Sequence, residues 1–224
     1  MISSARSLAT SSKHGLTPLG IEQGQNSAAS LLQLIEQHVD TDTKTNKVYF
    51  YSSPFSRAKQ TAEACLDGLT TDENLAKIQE LNLNIVQKDH KEDILIEDAI
   101  MERFFGDLDA EPLATYGYVW PNDMKDPTQT GYNVESVAAV STRLRETILR
   151  IEGSEVHGPE GDVVVLTSHA DVLQILQTYA SGLENVGEFS SYRFGNGEVR
   201  FMGRTPDTLP DPQPLELPKD DSDN

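Results

Sequence analysis

The sequence predicts an α/β fold, a layered and mostly parallel sheet with helices on both faces, and three observations predict it. Strand-like segments alternate with segments of helical period. The run Asp162 to Leu173 (DVVVLTSHADVL) passes from an apolar strand through Ser168-His169 directly into a helix. Two earlier stretches, around Ser52 to Arg57 and Ile96 to Arg103, also run from a strand to charged residues. In open α/β sheets, ligands bind where strands end and helices begin.

The elements follow in order. Ile21 to His38 carries Ala28, Leu31, Leu32 and Ile35 at helical spacing. Lys47 to Ser52 is β-branched and aromatic and reads as a strand. Arg57 to Leu69 places Ala58, Ala62, Cys65, Leu66 and Leu69 on one helical face. Asp93 to Glu97 reads as a short strand. Residues 103–134, with Trp120, Pro121 and Gly131, form a long connection of the kind used as a lid or insertion. Glu135 to Ile151 sets Val137, Val140, Leu144, Ile148 and Ile151 on one stripe. Val163 to Thr167 reads as a fully buried strand, and Asp171 to Ala180 as the helix after it. Tyr192 to Met202, turning at Gly195-Asn196-Gly197, reads as a terminal hairpin.

Composition bounds the function. The 224 residues suffice for one sizeable core. With 18 Lys+Arg against 36 Asp+Glu, the net charge of −18 argues against nucleic acid and anionic membranes as partners. No apolar run approaches membrane-spanning length. The single cysteine, Cys65, excludes an internal disulfide and a paired-cysteine metal site. Residues 205–224 hold five of the 11 prolines and six acids against one lysine, the composition of a solvated tail. The expected organisation is an irregular segment at 1–15, a folded domain at 16–203 and a disordered acidic tail at 204–224. The default location is cytoplasmic, with a Ser-rich transit segment at 1–13 as the weaker alternative.

Three candidate groups arise from strand ends. Arg57 opens a helix beside free N–H groups, where a guanidinium suits a phosphate; taken alone, it could be an ordinary surface arginine. Glu102 and Arg103 lie among apolar residues, so at least one of the two should point inward, and a half-buried carboxyl can donate a proton to a leaving oxygen. His169 stands at a strand-to-helix junction, where an imidazole can bind an anion or move a proton, although a lone histidine there is often only a core residue. Parallel strands would bring all three to one rim.

The chain resembles the histidine phosphatase superfamily, in its phosphoglycerate mutase-like branch. The matching phrases are Leu16 to Gln23 (LTPLGIEQ), Ser52-Ser53-Pro54 through Arg57 to Thr61-Ala62, Glu102-Arg103 with Phe105-Gly106, Glu135-Ser136 leading to Arg143, and Val164 through Ser168-His169. They run in the family's order across about residues 3–203. The resemblance implies a phosphoglycerate mutase-like fold and a phosphohistidine mechanism acting on a small phosphomonoester, with no metal ion or other cofactor. It makes Arg57 and His169 phosphate-binding residues, and Glu102 and His169 catalytic ones, Glu102 as the acid that protonates the leaving group. Phosphatase chemistry is preferred over mutase chemistry, because no basic cluster is visible for a second phosphate.

One family feature is missing. The resemblance implies a first central strand ending in Arg-His-Gly, and Ser3, Ser4 and Ala5 stand at the corresponding positions. Lys13-His14-Gly15 imitates the triplet, but no apolar strand leads into it, so His14 is expected in an exposed loop. The expectation is therefore a first central strand absent from this chain, a start lying upstream of Met1, and no turnover by the sequence as it stands. The alternative is a non-catalytic phospholigand-binding module on the same fold.

Overall fold

The computed structural model describes residues 10, 15–40, 45–87, 93–109, 111–154 and 162–215. Expectations that fall on residues 1–9, on His14 and on 216–224 lie outside this set. The described residues form two compact units: one drawn from Met1–Met101, Leu149–Ser168 and Gly195–Phe201, the other from Glu102–Ile148, His169–Phe194 and Met202–Asn224.

The first unit holds the sheet. Helix α1 (Pro18–His38) starts three residues earlier than its apolar stripe suggested. Thr17 caps it by accepting from the Gly20 N–H at 3.1 Å, and Pro18 occupies the first turn, where a missing N–H is harmless. Ala28, Leu31, Leu32 and Ile35 are all buried, as their spacing predicted. Strand β1 (Asn46–Ser52) leads into α2 (Ser56–Gly68). Helix α3 (Asp72–Glu80) and strand β2 (Leu83–Ile85) add to the elements expected from the sequence; Thr71 as N-cap with Asp72 and Glu73 in the first turn is a legible helix start. Strand β3 is only Leu95–Ile96.

Among the described residues all strand pairings are parallel. Along one edge of β1, β2 takes the first half (Val48↔Ile85) and β3 the last (Tyr51↔Leu95). Between them the buried Gln87 side chain accepts the Phe50 N–H at 3.1 Å, satisfying a donor that no strand reaches. Strand β4 (Val163–Thr167) runs along the other edge in register from Val48↔Val163 to Ser52↔Thr167. Helices flank this parallel sheet, and Val48, Phe50, Leu66 and Leu69 are wholly buried between the layers.

Helices α1 and α2 cross closely. A Cβ at Gly68 would lie 2.1 Å from the Gln25 carbonyl oxygen and 2.8 Å from Ala28 Cβ. Gly68→Ala must therefore push backbone against backbone. We expect a loss of about 1–3 kcal/mol, read as a lower urea midpoint; an unchanged midpoint would show that the crossing is loose.

The second unit begins with the long connection. Short 3-10 turns at Gly106–Leu108, Leu113–Tyr118 and Gly131–Asn133 surround one helical turn, α4 (Trp120–Asp123). They share a small core of Phe105, Val119 and Val134, with Phe105 stacked on Tyr116 at 4.4 Å. Helix α5 (Val137–Glu152) follows, with Ser136 Oγ accepting the Ala139 N–H. Helix α6 (Ala170–Ala180) comes next, followed by 3-10 turns at Val186–Ser191 and Pro206–Thr208.

Two expectations need correction. Strand β4 is half-buried at all five residues rather than fully buried; among the described residues it pairs with β1 alone. The terminal hairpin does not form. Gly197 makes the expected turn with φ +69°, but its flanks belong to different units. Arg193 lies over the Trp120 ring at 5.2 Å, whereas Phe201 stacks on His38 at 4.0 Å, so the two arms have other partners than each other.

Candidate functional site

The second unit brings together two of the three residues singled out from the sequence. Glu102 Oε2 lies 3.5 Å from His169 Nδ1, an ion-pair distance when the imidazole is protonated. The Glu102 side chain is 21% exposed and that of His169 only 2%, so the carboxyl reaches solvent while the ring is enclosed. His169 takes the N-cap position of α6 with extended backbone, and its carbonyl accepts the Leu173 N–H. The first-turn N–H groups of α6 thus begin immediately beyond the imidazole.

The inward member of the Glu-Arg pair is Arg103, which is completely buried. Its guanidinium grips Asp123 with two parallel bonds of 2.6 and 2.9 Å, and its Nε donates to the Glu135 carbonyl at 2.7 Å. Gln129 donates to the same Asp123 carboxylate at 2.6 Å. Asp171, in the first turn of α6, accepts from the Trp120 indole at 3.1 Å. Burial raises its carboxyl from 3.8 to about 6, against the pull of Arg103 and the Trp120 bond.

The segment around Glu102 is held from the other side by Glu135. This carboxylate accepts the Phe104 N–H at 3.2 Å and pairs with Arg143 through bonds of 2.8 and 3.1 Å, while its own N–H donates to the Phe104 carbonyl. The spacing from Glu135 to Arg143 is therefore a brace. At Gly106 a Cβ would meet the Tyr132 carbonyl oxygen at 2.2 Å, and φ of +58° adds strain for any other residue.

Arg57 belongs to the first unit, in the opening turn of α2, with its guanidinium over the Phe55 ring at 5.2 Å. In that unit, the Ser53 N–H donates to the Thr167 carbonyl, so β1 and β4 end together. Among the described residues the imidazoles are those of His38 and His169, and His38 is stacked on Phe201. Arg103, Asp123 and Asp171 were not recognised as a network from the sequence; a paired carboxylate twenty residues away leaves no local pattern.

A family model for the histidine phosphatase superfamily (branch 1) matches residues 80–209, a span that contains Glu102 and His169 and begins after Arg57. No curated protein matches the chain. Among solved structures, a mycobacterial glucosyl-3-phosphoglycerate phosphatase in complex with VO3 aligns at TM-score 0.53 and 17% identity, over 82% of this chain and 77% of that one. The same enzyme with inorganic phosphate aligns at 0.53 and 20%, over 81% and 76%. A protein designated mycobacterial hydrolase 2 aligns at 0.54 and 18%, over 93% and 83%. At these identities the likeness concerns the fold.

Proposed function

Because the chain belongs to the histidine phosphatase superfamily, branch 1, we propose that its site is built for phosphatase-type phosphoryl transfer on a small phosphomonoester. The observation that carries this reading is the 3.5 Å approach of Glu102 to His169 at the head of a helix. His169 and the α6 N-terminus would hold phosphoryl oxygens. Glu102, the more exposed partner, would give its proton to the leaving oxygen as the P–O bond breaks. Arg57, in the opening turn of α2, is a further candidate from the sequence for holding phosphate oxygens. The solved phosphatase carrying VO3 or inorganic phosphate on a similar fold supports a small phosphorylated ligand.

The transfer itself needs an imidazole that attacks phosphorus and is freed again by water. Ser3, Ser4 and Ala5 stand where the family resemblance calls for Arg-His-Gly. The proposal is therefore that these 224 residues bind phosphate without turning over a phosphoester.

The test is an aryl phosphate assay on this chain and on an extended version in which residues 1–5 are replaced by a strand ending in Arg-His-Gly, with phosphate binding measured alongside. Turnover by the extended version alone is expected. Turnover by the unextended chain, lost in His14→Ala, would overturn the assignment of His14 to a loop. Phosphate binding with no turnover by either version would favour a non-catalytic binding module, and absence of both would end the phosphoryl reading. In the extended version, Glu102→Gln should slow substrates with poor leaving groups by about 100-fold or more and aryl phosphates far less. Equal losses would remove the acid role.

A further inference from the structure

Arg103 follows Glu102 directly, and Asp171 follows His169 by two residues. Both flanking residues are buried, and their charged groups approach each other: Arg103 Nη1 lies 3.9 Å from Asp171 Oδ2 while holding Asp123 at 2.6 Å. The Trp120 indole donates to the same Asp171 oxygen. Arg103 is fixed further by the Glu135 carbonyl and by the Phe105 and Phe189 rings, 5.6 and 5.9 Å from its guanidinium carbon. Gly187 lets its segment pass close against Asp123 in α4, since a Cβ there would meet the Asp123 carbonyl oxygen at 2.0 Å. Two segments separated by more than sixty residues are thus tied within two residues of each functional side chain.

We propose that Arg103 and Asp171 are positioning residues, whose buried contact clasps the 102–103 segment to the start of α6 and sets the separation of Glu102 from His169. The inference rests on reading those two as the phosphoryl-handling pair. Buried ion pairs add little stability over apolar packing of the same volume, so their value lies in fixing geometry. Proton transfer is sensitive to that geometry, because an ångström of displacement takes a donor out of reach.

A double-mutant cycle read by NMR on the His169 ring in the full chain tests this. A neighbouring carboxylate favours the protonated imidazole, so Glu102→Gln should move the midpoint of the His169 titration down, by about one pH unit. In an Asp171→Asn background the same substitution should move it by less than half as much, because Glu102 is no longer held in place. The amide is isosteric and can still accept from Trp120, so the fold is expected to be retained, and thermal unfolding checks this. An Arg103→Lys background, with one charge but no planar fork, should give an intermediate shift; a full shift there would overturn the role of Arg103. Equal shifts in the wild-type and Asp171→Asn backgrounds would overturn the clasp and leave the Glu102–His169 pair intact. No shift in the wild-type background would overturn the pair, and with it the reading on which the clasp rests.

Discussion

Arg103→Met is expected to lower the unfolding free energy by about 3–5 kcal/mol at neutral pH. The side chain has no exposed surface, and neither does that of Asp123, which it grips with both guanidinium nitrogens. Methionine fills much of the volume but takes the guanidinium away from the Asp123 carboxylate, which keeps the Gln129 donor, and from Asp171, which keeps the Trp120 indole bond and the attraction of Arg193. Removing one partner of a buried pair leaves the other charge uncompensated, and that asymmetry makes the effect large. Domains of this size are stable by about 5–15 kcal/mol, so the variant would stand near the edge of folding. Adding Asp123→Asn should recover part of the loss, because the stranded charge is then gone. Urea titration of both variants decides it. A loss below about 1 kcal/mol for Arg103→Met, or no recovery in the double variant, would show that water reaches the pair.

What could be read from the sequence follows the range over which each signal acts. Periodicity is local, so the stripes of α1, α2 and α5 were legible, and so was β4, whose apolar run is bounded by Asp162 and Ser168. Strand-to-helix junctions are also local, and they marked Arg57 and His169. The residues alone mark Glu102 as one of an adjacent Glu-Arg pair, of which Arg103 is the buried member, and the acid role comes from the family resemblance. Pairing is not local. Tyr192 to Met202 has the turn glycines of a hairpin, yet Arg193 and Phe201 find aromatic partners at Trp120 and His38 instead. The same limit hid the brace and the clasp. Glu135 and Arg143 are eight residues apart, Arg103 and Asp123 twenty, and no spacing rule announces either pair. Helix α3 is a different case, since Thr71-Asp72-Glu73 is a local capping signal that marks its start.

Asp171→Asn is expected to gain stability relative to the wild type as pH rises. Burial raises the Asp171 carboxyl from 3.8 to about 6, so the native protein takes up a proton at this site before the unfolded chain does. Between those values the native state binds more protons, and stability must therefore fall as pH increases through the window. The displacement corresponds to about 3 kcal/mol once pH exceeds 6, with roughly half of that change lying above pH 5. Asparagine has no proton to lose and can still accept the Trp120 bond. Other titrating groups are common to both proteins, so the difference between their unfolding free energies, measured by urea titration at several pH values from 5 to 8, isolates this carboxyl. A flat difference would mean that Asp171 titrates like an exposed acid. A difference that turns against the variant as pH rises would mean that Arg103 attracts the carboxylate more strongly than burial repels it. The expected sign also separates stability from geometry, because a carboxylate that weakens the fold at neutral pH is not retained for its contribution to folding. Its contact with Arg103, within two residues of both Glu102 and His169, gives it a role that a stability measurement alone would miss.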